Sequence, residues 1–563
     1  MNSSPLSYKD AVLVTVGSGL ACHLLVFKRY EPTGPPTHLG LLVAVPAILA
    51  WLFIPHCSNT SFAFMSSFVI YVASLVASVA IYRLGPFHPL AKYPGPMMGK
   101  LSKLWMSYVV TTGRQHIYYN SLHHKYGDIV RIGPNELSVR DAAAVVPMMG
   151  SQGLTKGPSW SGRDPQRKGD SLIMITGPEH ARRRRPWNRA FNSEALKGYE
   201  EIIEKRTNQL IRTLGKQGGS INLAMWISYF TFDFMSDMAS ILRTRFGGGS
   251  EMLRDGDKDG IWRALDGSTI LTVAMAHSPL VGQYYKYVPV GAEKTRFREF
   301  AMNRAQMRIK QGSMTKDVFH HFLNEEGTDP HPPSMVEIIS DSILVIVAGS
   351  DTTSTVLSSL FWFIMCNSTI YRRLQDEIDS VFPPGENALD PSKHVHMNYL
   401  NAVINETLRL LPPVLSGSQR QVERGSGAAT FGSHVIPEGT AVFSHFYSLH
   451  RDPRSFSPLP EVFWPDRWLS EGERTSPFSP THKGPVNVIL DRTAFTPFSF
   501  GPSNCVGKNL AIQEIRMVVC LMLQSFDMRL AEGYDAQRWE RDMEDRFISH
   551  TGELPVVLTA RKI

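Results

Sequence analysis

The N-terminal region contains two long stretches without a formal charge, and they constrain the fold more than any other feature. Seventeen residues between Asp10 and Lys28, and fifty-one between Glu31 and Arg83, include no Lys, Arg, Asp or Glu. Such stretches cannot form a water-facing surface, and a transmembrane helix needs about 20 apolar residues. The sequence therefore predicts a membrane region over residues 1–91 with one to three transmembrane helices. The apolar segments are 11–27, 39–54 and 62–82.

The basic residues around these segments predict their orientation. Lys28 and Arg29 lie between the first two segments, and Arg83 and several lysines follow the third. The positive-inside rule places both groups in the cytosol, which requires an odd number of spans. A cleaved signal peptide would explain the first segment alone and would leave the next two unexplained.

Prolines around Gly95 predict a stiff hinge at residues 92–96, because proline fixes φ and disfavours helix at the residue before it. Residues 97–563 follow as one large domain.

The chain is 43% hydrophobic and 19% charged, which excludes a disordered protein. Its five cysteines are too few for a disulfide framework. The net charge of +7 fits an anionic membrane or an acidic partner as well as nucleic acid.

One cysteine near the C-terminus lies in a glycine-rich loop. Gly501 and Gly507 flank Cys505, and glycines let a backbone turn sharply and approach a flat ligand closely. An apolar helical pattern follows from Lys508, so Cys505 is expected at a helix start, where the helix dipole favours a thiolate. Such a thiolate suits axial ligation of a metal. The alternative, a buried structural cysteine, is the commoner fate of this residue type.

This loop resembles the haem-binding loop of the cytochrome P-450 family, F-x-x-G-x-R-x-C-x-G. The matching residues are Phe498, Gly501, Cys505 and Gly507. Ser503 stands where the family has an arginine that holds a haem propionate. With four further motifs, the resemblance covers about Tyr93 to the C-terminus. It implies a mainly α fold with a smaller β-rich part: a single large haem domain behind an N-terminal membrane anchor, with Cys505 as the axial ligand of heme b iron.

Glu406 and Arg409 are three residues apart on an amphipathic helical pattern that ends at a Pro-Pro pair. An isolated pair of this kind is usually a surface ion pair that contributes about 0.2–0.5 kcal/mol. Here the pair resembles the E-x-x-R helix of the same family, and Arg467 lies in a stretch similar to the family's P-E-R-F segment. The resemblance implies a structural triad of Glu406, Arg409 and Arg467 that braces the loop of Cys505.

Asp351 and Thr352 lie in the middle of a long apolar helical pattern, directly after Ala348 and Gly349. This resembles the family's oxygen-side motif, A-G-x-[DE]-T. It implies that small residues let a ligand pass close to the helix and that the acid and the alcohol relay protons. The alternative is an ordinary helix with both polar side chains in solvent.

Three cationic or titratable residues resemble the family's haem-propionate contacts. His180 and Arg184 are four residues apart, so they share a helix face, and Arg420 follows Arg409 by eleven residues. Together the three could compensate for Ser503. The other arginines of the run 182–185 would face outward as a basic patch; taken alone, such a run weakly suggests nucleic-acid binding.

The resemblance implies a membrane-bound monooxygenase that oxidises a lipophilic small molecule with O2, with Asp351 and Thr352 in the catalytic role. The cysteine loop is most similar to microsomal fungal members, which implies an endoplasmic reticulum membrane location, a cytosolic catalytic domain and a terpenoid or other secondary metabolite as substrate. The chain has no P-loop or dinucleotide fingerprint, so electrons would come from NADPH through an acidic flavoprotein, the NADPH–cytochrome reductase. No nucleic acid is expected as a partner. The alternatives are a haem-thiolate isomerase or dehydratase, and a haem-free membrane scaffold.

Overall fold

The computed structural model describes residues 6–163, 171–239, 251–285, 292–311, 316–477 and 486–561. Helices dominate these ranges, and the strands are short, so the predicted mainly α fold with a smaller β-rich part is confirmed. The α-helices of eight or more residues are Tyr8–Ala21, Thr60–Leu84, Lys103–Thr111, Gln115–Tyr126, Gly177–Ala190, Ser193–Leu214, Leu223–Ala239, Ile261–His277, Ala292–Gln311, Met335–Met365, Ser368–Val381, Asn398–Leu410 and Lys508–Ser525.

The uncharged N-terminal segments fold into three apolar helices, which we call the anchor bundle: Tyr8–Tyr30, Pro35–Leu52 and Thr60–Leu84. Large apolar side chains on its outside are exposed, among them Trp51 and Ile81 at 71% and 74%. The first and third helices touch at Gly19, where a Cβ atom would lie only 2.9 Å from the Tyr71 carbonyl oxygen. Helix Met335–Met365 is also long and apolar enough to span a membrane, but most of its side chains are buried in the main domain.

The anchor bundle contacts the main domain through specific polar groups. Glu31, after the first helix, accepts a hydrogen bond from Asn135 at 2.7 Å and pairs with Arg424 at 3.1 Å. The His38 ring lies 2.9 Å from the Tyr284 hydroxyl. The predicted hinge at residues 92–96 packs on the main domain as well, since the Arg131 N–H donates to the Pro94 carbonyl at 2.7 Å.

The β-rich part consists of small sheets around the helical core. The largest has five strands in the order Ile129–Gly133, Glu136–Val139, Ala441–Ser444, Ser418–Gln421 and Thr155–Lys156, and only the second and third of these are parallel. A second sheet has the order Phe526–Leu530, Pro555–Ala560 and Ser220–Asn222. The remaining strands pair in twos: Ala429–Phe431 with His434–Ile436, Phe456–Ser457 with Ile489–Leu490, and Glu544–Arg546 with Ile548–His550.

Helix Met335–Met365, called the long helix below, lies at the centre of the core and packs along Leu223–Ala239. Its N-terminus is fixed by a capping box, in which Ser334 and Glu337 satisfy each other's backbone N–H groups. Side chains of this helix line two cavities, which are described below. The position of the helix therefore determines which of its side chains face each cavity.

Candidate active site

An apolar cavity lies between the long helix and the loop of residues 498–507, and we call it the cysteine cavity. Apolar side chains line most of it, including Leu172, Leu344, Val345 and Phe547. Of the sequence-predicted residues it collects Thr352, Phe498, Cys505, Gly507, His180, Arg184 and Arg420. These come from segments separated by more than three hundred positions in the sequence. Asp351, Gly501 and the triad residues Glu406, Arg409 and Arg467 do not line it.

The cysteine loop is held in a fixed turn. The Cys505 N–H donates to the Phe498 carbonyl at 2.8 Å. Gly501 has φ of +70°, and a Cβ atom there would collide with the Met149 carbonyl oxygen, so a glycine is required. Gly507 has only Phe191 and the Cys505 sulfur within 4 Å of its Cβ position, which leaves the approach to the cavity open.

The Cys505 thiol lies just before helix Lys508–Ser525. Burial raises its pKa, and this outweighs the lowering by the Gly507 N–H, Arg184 and Lys508. The expected stabilisation of the thiolate at the helix start is therefore present, but it is too weak to lower the pKa of Cys505 below its ordinary value. A bound metal cation would deprotonate the thiol outright.

The triad residues meet in a dry interior. Glu406 and both guanidiniums have fully buried side chains. The carboxylate accepts from Arg409 at 2.8 and 2.9 Å, from Arg467 at 3.0 Å, from the Trp468 indole at 2.9 Å and from one backbone N–H. Burial alone would raise the pKa of Glu406, but Arg409 and then Arg467 hold this pKa below its usual value. Every lone-pair direction of the carboxylate is used, which is the condition for burying an ion.

His450 links this triad to the cysteine loop, and sequence reasoning missed it. Its ring lies 3.1 Å from the Arg409 carbonyl through Nδ1, and its Nε2 accepts from the Thr496 N–H at 3.0 Å. Burial lowers the pKa of His450 to about 3, so the ring is neutral. A neutral imidazole can donate on one side and accept on the other, which is what this bridge requires. Phe498 follows Thr496 by two residues.

A cationic end closes the cysteine cavity. Arg420 is 4% exposed, and its Nε has no hydrogen-bond partner among the described residues. Lys156, which sequence reasoning also missed, lies directly opposite Arg420 in the β-ladder and lines the same cavity. Burial, then Arg420 and Arg184, lower the pKa of Lys156 to about 7. Like charges placed opposite each other in a sheet are destabilising, so this end suits a bound anion.

The other two residues expected to contact the propionates, His180 and Arg184, differ in their hydrogen bonds to the protein. His180 is buried at the cavity, and burial lowers its pKa to about 4. Arg184 donates at 2.8 and 3.0 Å to the backbone and side chain of Asn504, so it also positions the residue before Cys505.

The expected basic patch from the arginine run is wrong for Arg183. Its side chain is buried and pairs with Asp341 of the long helix at 2.7 Å. Arg182 pairs with Glu337 at 2.6 Å, which leaves Arg185 as the exposed member of the run beyond the cavity. Acidic residues on a distant helix neutralise the run, and the local sequence could not reveal them.

The acid and the alcohol of the long helix face different cavities. The Thr352 hydroxyl lies at the cysteine cavity and donates to the Ala348 carbonyl at 2.7 Å. Asp351 faces a separate, polar cavity on the other side. Burial raises the pKa of Asp351 to about 7, Asp266 adds to this, and His550 opposes it. At Gly349, a Cβ atom would lie 2.5 Å from the Met235 side chain, so that position gives room to a neighbouring helix as well as to a ligand.

These features fit a haem. A cysteine in a glycine-framed loop offers the axial ligand, apolar walls suit a flat macrocycle, and the unpartnered Arg420 Nε beside Lys156 offers a place for its carboxylates. Arg420 and Lys156 supply cations near this cavity although residue 503 is serine.

Comparison with known proteins agrees with this geometry. The family model described as cytochrome P-450 matches residues 89–554. The chain is 31% identical to cytochrome P-450 monooxygenase phqL of Penicillium fellutanum, over 97% of this chain and 94% of that one. It is 34% identical to cytochrome P-450 67 of Uromyces fabae, over 84% and 86%. It is 28% identical to tryprostatin B 6-hydroxylase of Aspergillus fumigatus, over 99% and 98%.

Proposed function

Because this chain belongs to the cytochrome P-450 family and is a monooxygenase, we propose that it is membrane-anchored and oxidises a lipophilic small molecule with electrons from an NADPH-dependent reductase. One observation carries the proposal: the loop of Cys505 opens onto a largely apolar cavity that is also lined by Lys156 and by Arg420, whose Nε atom has no hydrogen-bond partner within the described residues. That combination suits a macrocycle with an axial thiolate at its centre and carboxylates at its edge.

A haem bound through a cysteine thiolate would supply the activation of dioxygen, because the thiolate donates electron density to the iron. In this chain Cys505 would be that ligand. Arg420, Lys156 and His180 would bind the propionates, and Arg184 would do so while it orients Asn504. Phe498, Gly501 and Gly507 shape the loop, and the buried triad of Glu406, Arg409 and Arg467 holds it in place through His450.

The protons would come from the long helix. Thr352 presents a hydroxyl to the cavity that can accept and pass on a proton at Oγ. Asp351 is the adjacent acid, and a carboxyl whose pKa is near 7 can both hold and release a proton at neutral pH. Many of the other side chains that line the cysteine cavity are apolar, and an apolar lining favours the exclusion of bulk water.

The substrate would be a lipophilic secondary metabolite, such as a terpenoid. The apolar lining of the cavity supports a lipophilic ligand. A similar chain, tryprostatin B 6-hydroxylase of Aspergillus fumigatus, is by its name a hydroxylase of a small molecule, which supports the same class of reaction here.

The partners follow from the two ends of the molecule. The anchor bundle has apolar side chains on its outside, which supports insertion into the endoplasmic reticulum bilayer with the main domain in the cytosol. Lys508 and Arg185 are exposed near the cysteine loop. Exposed cations there support docking of an acidic flavoprotein reductase, because complementary charges speed association.

The deciding experiment substitutes the ligand. Cys505→Ala should abolish the red-shifted Soret band of the carbon monoxide complex of the reduced protein, together with turnover. Cys520→Ala is the matched control, because Cys520 is buried on helix Lys508–Ser525 away from the cavity; it should keep the band. Retention of the band in Cys505→Ala would overturn the assignment of the ligand.

A further inference from the structure

A second cavity of about 600 Å³ lies on a different face of the long helix, and we call it the polar cavity because several charged and hydroxyl side chains line it. Residues 347, 351, 354 and 355 line it, and this spacing places them on one helix face. Residues 345, 348, 349 and 352 line the cysteine cavity instead. The long helix lies between the two cavities, together with Phe547 and Ile548, which line both. The neighbours Asp351 and Thr352 face different cavities.

Asp351 faces the polar cavity, and no cationic side chain of the described residues forms an ion pair with it. Within the described residues, its one side-chain hydrogen-bond donor is the Ser350 hydroxyl, at 3.5 Å. The charged and titratable groups that line this cavity are Arg163, Asp266, Asp351, Arg546, His550 and Glu553. Two of them affect Asp351 electrostatically and in opposite directions, since Asp266 raises its pKa and His550 lowers it.

Asp266 and His550 form a pair that connects the cavity with solvent. The His550 Nδ1 atom lies 2.6 Å from Asp266 Oδ1, and Arg546 donates to the same oxygen at 3.2 Å. Both side chains of the pair are about 30% exposed. Asp266 comes from helix Ile261–His277 and His550 from the C-terminal hairpin, so no sequence motif joins them. A histidine is the side chain best suited to exchange protons with water near neutral pH.

We propose that His550 and Asp266 supply protons to Asp351 across the polar cavity, and through Asp351 to the Thr352 hydroxyl. The inference rests on the proposed function. The Asp351 carboxyl gives its proton to Thr352 Oγ, Thr352 passes its own hydroxyl proton into the cysteine cavity, and Asp351 becomes a carboxylate. His550, oriented by Asp266, returns one proton to that carboxylate through water and takes up another from solvent. Protons alone move, and no bond between heavy atoms changes.

His550 and Asp266 are therefore positioning and supply residues that act through Asp351. A purely structural role is the competing explanation, because the pair also connects the hairpin of strands Glu544–Arg546 and Ile548–His550 to helix Ile261–His277. The two explanations differ in pH dependence. A supply route matters only where bulk protonation of Asp351 is incomplete, whereas a lost tie between two elements weakens the protein at every pH.

The first measurement is an infrared titration of Asp351 in the full-length holoenzyme, with its carboxyl band identified by its loss in Asp351→Asn. Asp266→Asn should lower the protonation midpoint of Asp351, and His550→Gln should raise it. His396→Gln is the control, because His396 is an exposed histidine that does not line the cavity; it should leave the midpoint unchanged. Midpoints that stay the same in both test variants would overturn the coupling.

The second measurement is substrate-free NADPH oxidation by the holoenzyme with an added NADPH–flavin reductase, in H2O and D2O. His550→Gln should raise the share of electrons released as hydrogen peroxide several-fold above pH 7, with a larger solvent isotope effect. The excess should disappear below about pH 6, where bulk solvent protonates Asp351 directly. An excess that is independent of pH, or no excess at all, would overturn the supply route.

The two arms separate this inference from the proposed function. A wild-type protein without the red-shifted carbon monoxide band would defeat the monooxygenase proposal. The infrared arm needs no turnover, so opposite midpoint shifts would still support the coupling of His550 and Asp266 to Asp351, and unchanged midpoints would still overturn it.

Discussion

Glu406 and Asp351 are carboxyl groups on core helices, but Glu406 is fully buried whereas Asp351 is half-buried at a cavity. Glu406 accepts hydrogen bonds from two guanidiniums, an indole and a backbone N–H, and its pKa lies below its usual value. In the described part of the chain, Asp351 has one weak side-chain donor, Ser350, and desolvation raises its pKa to about 7. The comparison shows that burial alone does not decide what a carboxyl does. The number of donors around it separates a permanent ion that holds segments together from an acid that exchanges its proton.

The two groups consequently affect stability with opposite dependence on pH. The pKa of Glu406 is lowered in the folded state, so its contribution is present above the unfolded pKa and is lost as the pH falls. The pKa of Asp351 is raised, so the folded state binds the extra proton. Its effect on stability therefore becomes unfavourable as the pH rises from about 4 to about 7.

The largest effect should come from breaking the buried triad. Glu406→Gln leaves Arg409 and Arg467 buried without a counter-ion and should lower the free energy of unfolding by about 3–5 kcal/mol. The carbon monoxide band should weaken as well, because the support of the cysteine loop is lost. Chemical unfolding of the holoenzyme in detergent measures the first effect, and the spectrum measures the second.

Glu386→Gln is the matched control for this substitution. Glu386 pairs with Lys393 at the surface, and such pairs contribute about 0–1 kcal/mol. Equal losses in the two variants would contradict the special position of Glu406.

The next largest effect should be the removal of the Asp351 charge. Asn resembles the neutral acid, so Asp351→Asn should match the wild type near pH 4. By pH 8 it should be more stable by roughly 2–4 kcal/mol, at about 1.4 kcal/mol per unit of pKa shift. Unfolding measured across this pH range tests the sign. Glu553→Gln, an exposed change at the same cavity, should keep the wild-type profile. If the free energy of unfolding of Asp351→Asn changed with pH in the same way as that of the wild type, Asp351 would not titrate as inferred.

The smallest effect on stability should come from Thr352→Ala, which removes one hydrogen bond worth about 1 kcal/mol. Hydrogen peroxide release should nevertheless rise at the expense of product, because the hydroxyl between Asp351 and the cavity is gone. Thr207→Ala is the control, since Thr207 makes the same i−4 hydrogen bond on a helix elsewhere in the core. Unchanged peroxide release would remove Thr352 from the relay.

The motif residues could be found from the sequence because each motif is local. Cys505 is marked by its glycines, and the pair Glu406 and Arg409 by its helical spacing. The different directions of Asp351 and Thr352 could also have been predicted, because adjacent residues on a helix of 3.6 residues per turn point about 100° apart. The mainly α fold was implied by the resemblance to the cytochrome P-450 family, and apolar periodicity indicated only individual helices, such as that of Glu406.

The remaining parts of the site depend on contacts between distant segments. Lys156 joins the cationic end only because its strand pairs with the strand of Arg420. Asp266 and His550 meet across 284 positions of chain. Arg183 turns inward because Asp341, far along the sequence, offers it a carboxylate. None of these pairings leaves a periodic or compositional trace in the sequence.

The contacts of Glu31 with Asn135 and Arg424 have a consequence for engineering. These contacts hold the anchor bundle at a defined position on the main domain. The N-terminal helices therefore cannot be exchanged for an unrelated membrane helix without loss of these contacts. A chimera with a single N-terminal helix from another protein would lack the Glu31 contacts. Its main domain would then be free to change its orientation relative to that helix.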